Sequence, residues 1–318
     1  NKVLSTETGG TAQVYGTSTQ RLLKDIYSQY AAGFQRVVWH IWTAAYGYGN
    51  FKWPGYMSGF NGGTAFYRWG TREPSYQDYD EFNGHIGRVQ QLMQTGKSRT
   101  DIGFVHNNWA QGMKSGGEAI PPTLSAMNWQ FAHQGVHYRS TELQDNGYTY
   151  DYFSPDFLFN ENVTFNETTK TIEQAGYKAL VIYQDWLEIK AAHKILELAK
   201  KGLPVVIVDG AAVRTTFNDG KDDELADVMA EMKKQPTVRV AKVNDGPVDY
   251  GMPDGKGYDD EVYAKLQELG VRPYAEFAGA NHQLLTQSRV DDSGNMYLYA
   301  YNYCPNDYHK NSILDDVK

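Results

Sequence analysis

The strongest constraint on the fold is the run from Tyr177 to Val208. Tyr177-Lys178-Ala179-Leu180-Val181-Ile182-Tyr183 is short and apolar through its centre. A strand covered on both faces reads this way, without polar alternation. Glu188–Lys201 follows as an amphipathic helix, and Gly202 stops it. Leu203-Pro204-Val205-Val206-Ile207-Val208 is a second buried strand. Two such strands joined through a helix must run parallel, because a parallel pair needs a long crossover. Asp101-Ile102-Gly103-Phe104-Val105 reads as an earlier strand of the same kind, and Pro122–Gln134, Asp223–Lys234 and Asp259–Leu269 read as further helices. The alternation predicts a doubly wound parallel α/β sheet.

The first part of the chain has its own β-α-β order. Lys2-Val3-Leu4-Ser5-Thr6-Glu7 reads as a strand, Ser18–Ala32 as a helix, and Arg36-Val37-Val38-Trp39-His40-Ile41-Trp42 as a second strand. A long loop, Tyr46 to Trp69, is dense in aromatics and glycines. Ser75 is placed to cap a following helix, with Asp78 three residues on. Tyr79, Phe82, Ile86, Val89 and Met93 recur at helical spacing, and Gly96 stops the run. Near the other end, Gln287–Val290, the turn Asp291-Asp292-Ser293-Gly294-Asn295, and Met296–Tyr303 form a β-hairpin pattern. Three zones result: 1–95, 96–285 and 286–318.

A net charge of −8 with no Lys/Arg run argues against a nucleic-acid partner. No stretch of about 18 apolar residues is present, so no membrane span is expected. The one cysteine, Cys304, precludes an internal disulfide. Asn162-Val163-Thr164 and Asn166-Glu167-Thr168 are two acceptor sequons in one polar loop. They make Asn162 and Asn166 candidate glycosylation sites and point to a secreted, extracellular protein.

In an α/β barrel, chemistry sits at the carboxyl ends of the strands. Glu7, His40 and Trp42 occupy such ends. Glycoside cleavage requires two carboxyl groups flanking the scissile bond, and Glu7 is the candidate for one. The plain alternative is a solvated surface glutamate. His40 is a candidate catalytic neighbour, able to donate to a hydroxyl or orient a carboxylate; the alternative is a satisfied core histidine. Trp42, Tyr46, Trp53, Tyr56 and Trp69 could stack on the C–H faces of a sugar, although some must be ordinary packing. Arg72 is a candidate substrate contact, against a surface ion pair with Glu73. His106, His133, His137 and His193 have no metal-ligand spacing. In the second zone, Val208-Asp209-Gly210-Ala211 ends a strand where open sheets often bind ligands. No Gly-x-Gly-x-x-Gly or Gly-x-Ser-x-Gly pattern accompanies it, so this zone reads as structural.

The chain resembles glycoside hydrolase family 106, the α-L-rhamnosidase-like enzymes. The resemblance is carried by Ser5-Thr6-Glu7, Ala31-Ala32-Gly33-Phe34-Gln35-Arg36-Val37-Val38-Trp39-His40, Trp53-Pro54-Gly55-Tyr56 and the run from Trp69 to Asp80. Gly147-Tyr148-Thr149-Tyr150-Asp151-Tyr152 before Ser154-Pro155, and Gly176-Tyr177-Lys178-Ala179-Leu180, extend it. Family 42 β-galactosidases look similar in domain order. The resemblance implies an α/β fold in three parts. Residues 1–95 would be the C-terminal part of a TIM-type catalytic barrel, 96–285 a flavodoxin-like doubly wound domain, and 286–318 the start of a β-sandwich. It further implies an exo-acting glycosidase on plant or microbial glycans, with an oligosaccharide or polysaccharide as substrate. Calcium at the site is implied by the resemblance alone, as are partner segments N-terminal and C-terminal to this chain. The partner acid would lie upstream. Other readings are a non-catalytic glycan-binding or assembly fragment of a larger enzyme, a polysaccharide lyase, or another glycosidase such as a β-galactosidase.

Overall fold

A computed structural model describes residues 3–9, 19–39, 76–107, 142–215, 220–242, 261–281 and 284–302. The chain divides into two compact units. One comprises Asn1–Ser98 with Gln287–Tyr301, the other Arg99–Thr286 with Asn302–Lys318.

In the first unit, β1 (Ser5–Thr8) pairs in parallel with β2 (Arg36–Trp39), Glu7 opposite Val38 and Thr8 opposite Trp39. Helix α1 (Thr19–Ala31) lies between them in the chain, and α2 (Tyr79–Met93) follows. Leu22, Ile26 and Tyr30 of α1 meet Tyr79, Phe82, Ile86 and Met93 of α2 in one buried cluster, as their helical spacing requires. Val37 and Trp39 pack against it from β2. Glutamines satisfy backbone groups around the small sheet. Gln35 Oε1 accepts from Leu4 N at 3.0 Å, and Gln90 Oε1 accepts from Val37 N at 2.8 Å. Ser75, the expected helix cap, lies outside the described residues. The N-cap of α2 is Asp78, which makes no side-chain cap bond because the preceding turn, Tyr76–Asp78, is already a 3-10 helix. Gly96, at φ +64°, reverses the chain after α2 and leads into β3 (Lys97–Arg99).

The second unit is built on β4 (Ile102–Val105), β5 (Tyr150–Phe153), the small antiparallel pair β6 (Phe165–Asn166) and β7 (Thr171–Ile172), β8 (Ala179–Ile182), β9 (Val205–Val208) and β10 (Val238–Ala241). Its main sheet has the order β10-β9-β8-β4-β5, with every adjacent pair parallel. Counted in order of appearance this is 2-1-3-4-5, the flavodoxin-like arrangement. Alternate residues point to opposite faces. Leu180, Ile182, Val205 and Ile207 face helices Ile189–Lys200 and Asp222–Lys233. Ile102, Phe104, Ala179, Val181 and Val206 face Leu143, Val262 and Leu266 on the other side. Both faces are therefore covered, which is why these strands read as unbroken apolar runs. The expected helix Pro122–Gln134 lies outside the described residues.

The hairpin joins β11 (Leu284–Val290) to β12 (Met296–Asn302), in a sheet ordered β12-β11-β3. Asp291 N donates to Asn295 O at 3.0 Å, and Gly294 takes φ +84° within the turn. So short a connection makes the two strands antiparallel. Tyr299 of β12 packs edge-on against Tyr30 with centroids 6.1 Å apart, and its hydroxyl donates to Tyr27 O. Among the described residues no helix is long and apolar enough to cross a membrane.

Candidate functional site

The β1–β2 pair sets the geometry around Glu7. Thr8 is buried on the helix side, where its hydroxyl donates to Gln29 Oε1 of α1 at 2.8 Å. Trp39 faces the same side, its indole N–H donating to Asn83 Oδ1 and its ring 5.8 Å from Phe82. By the period of two, Ser5, Glu7, Arg36 and Val38 share the opposite face. All four are exposed, Val38 to 48%. This sheet face is turned away from the unit's own helices and carries an exposed valine. Glu7 stands on it, one residue from the carboxyl end of β1, and Gly9 at φ +94° turns the chain just beyond.

His40, Trp42, Tyr46, Trp53, Tyr56, Trp69 and Arg72 lie outside the described residues, as do His133 and His137. Asn162 is exposed, and its side-chain amide donates to Asn160 Oδ1. Asn166 is half-buried in the β6–β7 turn. Its carbonyl accepts from Thr168 N and Thr169 N, and its amide donates to Glu173 Oε1 at 2.6 Å. Among the described residues no group of three or more His, Cys, Asp or Glu side chains could hold a metal ion.

A second cluster has no counterpart among the candidate residues read from the sequence. It sits at the carboxyl ends of β4 and β8, where the strand order of the main sheet reverses. Asn107 N donates to Gln184 Oε1 at 2.7 Å, which fixes the Gln184 amide. Its nitrogen then faces His106 Nδ1 at 3.4 Å. The Tyr183 hydroxyl, with its proton, lies 2.6 Å from the same Nδ1. Burial raises the Tyr183 phenol well above its ordinary value, so it retains that proton. Asn107 Nδ2 donates to Trp186 O at 2.9 Å, and its buried Oδ1 has no hydrogen-bond partner among the described residues. The signal available in sequence was Val105-His106-Asn107, two polar residues closing a buried strand.

No protein-family model matches this sequence, and no curated relative matches it. A solved rhamnosidase from Novosphingobium sp. PP1Y is similar in fold, with a TM-score of 0.60 at 17% identity over 95% of this chain and 26% of that one. The chain thus spans about a quarter of that protein's length. An apo exo-carrageenase GH42 from Bacteroides ovatus aligns at a TM-score of 0.34 and 10% identity, over 74% of this chain and 30% of that one. The likeness to the rhamnosidase shows a shared α/β fold.

Proposed function

We propose that this chain is part of a glycoside hydrolase of the α-L-rhamnosidase-like family 106, with Glu7 as one of its catalytic carboxylates. The observation that carries the reading is the fold shared with a rhamnosidase over 95% of the chain. The geometry of β1 supports it: a carboxylate at a parallel strand's carboxyl end, on the sheet face its own helices leave open. In a barrel that face is the substrate side.

Two carboxyl groups divide the work of glycoside cleavage. Glu7, exposed near its strand end, is suited to the role of base on water in an inverting enzyme, or of nucleophile in a retaining one. The proton donor to the leaving oxygen is the partner acid, contributed from upstream of this chain. His40 and Trp42, with the aromatic residues Tyr46 to Trp69 and Arg72, supply the sugar contacts in this reading. Secretion and glycosylation at Asn162 and Asn166 belong to it as well.

The test is release of aryl aglycone from a panel of aryl glycosides by the polypeptide that carries this chain. Release from the α-L-rhamnoside, abolished in Glu7→Gln with binding retained, is the expected result. Full activity in Glu7→Gln removes the assignment of Glu7, and release from a different glycoside moves the substrate.

A further inference from the structure

We propose that the flavodoxin-like unit carries a second ligand site, for a neutral sugar, in the cavity between the β6–β7 hairpin and helix Ile189–Lys200. The cavity has a volume of about 270 Å³. That is at the small end for a ligand pocket and suits a single sugar ring. Lys194, Glu197, Leu198 and Lys201 line it from the helix side. Their spacing of three, four and seven residues puts them on one face. Leu198 is buried there, and with Leu158 and Ile172 it makes an apolar floor. Val163 and Phe165 come from the opposite wall. They pack on the same core, yet both are only partly buried and line the opening.

The rim is charged and balanced. Lys194 Nζ donates to Glu197 Oε2 at 2.9 Å, and Lys201 Nζ donates to Oε1 of the same carboxylate at 2.8 Å. The bonds from Lys201 and Lys194 hold the Glu197 carboxyl below its ordinary value, so this brace stays charged at neutral pH. Glu167 lines the cavity from the β6–β7 turn and acts on Lys201 as a second anion. Two ammoniums thus meet two carboxylates, and the rim has no net charge with which to select an ion. An ammonium carries three donors and a carboxylate about four acceptor positions, more than the brace uses. An apolar floor, an aromatic side chain and a neutral rim of donors and acceptors suit a pyranose. Its C–H face covers apolar surface while its hydroxyls both donate and accept. A phosphate or carboxylate ligand would meet Glu167 and Glu197 as well as the lysines. The site is separate from Glu7, which belongs to the other unit, and the inference stands whether or not Glu7 is catalytic.

The experiment is an NMR titration of the isotope-labelled chain with free L-rhamnose and D-galactose, with benzoate and inorganic phosphate as anionic controls. At least one sugar should shift the backbone amides of Val163, Phe165 and Leu198, and neither anion should. Glu197→Ala removes the acceptor shared by the two lysines and leaves the rim cationic, so sugar binding should weaken at least about tenfold. Phe165→Leu keeps an apolar wall without the flat ring and should weaken it roughly two- to tenfold. Glu7→Gln should leave the affinity unchanged. Glu197 is exposed on the helix surface, so its alanine variant remains testable even if Phe165→Leu fails to fold. Sugar binding that survives Glu197→Ala and is lost in Glu7→Gln would overturn the proposal and locate the sugar at β1. Shifts at the cavity caused by benzoate or phosphate in place of sugar, sugar binding indifferent to Glu197→Ala, or no sugar binding by the wild type would overturn it too. Loss of glycosidase activity across a substrate panel bears on Glu7 and leaves these outcomes readable.

Discussion

Asp101 accepts a hydrogen bond from the backbone N–H of Tyr274 at 2.7 Å, across 173 residues of chain. The same oxygen takes Lys178 Nζ at 3.1 Å, and the other accepts from Thr149 N at 3.0 Å and Thr149 Oγ1 at 2.8 Å. Lys178 in turn lies 3.3 Å from the centre of the Tyr274 ring. One carboxylate therefore ties the amino ends of β4 and β8 to the start of β5 and to the segment after helix Val262–Glu268. Burial raises the Asp101 carboxyl and lowers the Lys178 ammonium, while their attraction and the Thr149 bonds favour the charged pair. Asp101→Ala should cost about 3–5 kcal/mol, since it strands a half-buried ammonium and buried N–H groups. A shifted midpoint in denaturant unfolding with an unchanged slope would report that loss. A shift of less than about 1 kcal/mol would mean that water replaces the carboxylate.

Gly103 sits inside β4 because two rings occupy the space a side chain would need. A Cβ there would lie 2.8 Å from Phe153 Cε1 and 2.8 Å from Tyr177 Cδ2. Those rings stack with centroids 5.5 Å apart, and both also contact Phe157, so neither can retreat easily. Gly103→Ala should destabilise the second unit by about 1–3 kcal/mol, the usual penalty for overpacking. Thermal melting followed by near-ultraviolet circular dichroism checks this, because the tyrosine signal and the transition should move together.

The hairpin turn should loosen in acid. Asp291 Oδ1 accepts from Ser293 N and Asn295 N, each at 2.9 Å, and Oδ2 accepts from Asn295 Nδ2 at 2.9 Å and Tyr297 Oη at 3.0 Å. The Asn295 side-chain bond is the chief reason its carboxyl is held below the ordinary value, and the remaining bonds outweigh desolvation together with it. A lowered folded value means stability present above the unfolded value and lost as pH falls through the folded one. Amide exchange at Ser293 and Asn295 should therefore accelerate below about pH 4, beyond what intrinsic exchange accounts for. Asp291→Asn should remove that dependence. An unaltered pH profile in the variant would show that another group governs the turn.

The alternation of helices and apolar runs made the sheet legible, because a strand covered on both faces needs no polar positions. It gave β4, β8 and β9 directly. It missed β5, whose Tyr150-Asp151-Tyr152-Phe153 mixes a buried carboxylate with aromatics. Asp151 is tolerated there because Thr100 Oγ1 donates to it at 2.9 Å, a partner 51 residues away that no local pattern reveals. It also missed β10, where Val238-Arg239-Val240-Ala241 places an arginine on a sheet edge. The packing of Tyr299 on Tyr30 was equally hidden, since it joins residues at opposite ends of the chain. The place of Glu7 near the end of a strand could be read from the sequence. The His106–Gln184 cluster could not, because its content is which amide and ring atoms face one another.

If Glu7 is catalytic, its placement depends on Gln29. Glu7 is flanked by Thr8, whose hydroxyl is fixed to Gln29 Oε1 at 2.8 Å, and the Gln29 carbonyl accepts Phe34 N at 3.0 Å on the approach to β2. Gln29→Leu keeps the helix and most of the volume but removes the acceptor, leaving the Thr8 hydroxyl buried without its partner. The end of β1 should then sample more positions. A displacement of about 1 Å at a reacting group can cost on the order of a hundredfold in rate. The expected result is a fall in kcat of roughly tenfold to a hundredfold with KM nearly unchanged, because Gln29 touches no substrate. Glu7→Gln should lose far more. Thr8→Val, which removes the donor instead, should reproduce the kcat effect, and adding it to Gln29→Leu should cost little further if the pair acts as a unit. Additive losses, or a change confined to KM, would show that the Thr8–Gln29 bond stabilises the fold without positioning Glu7.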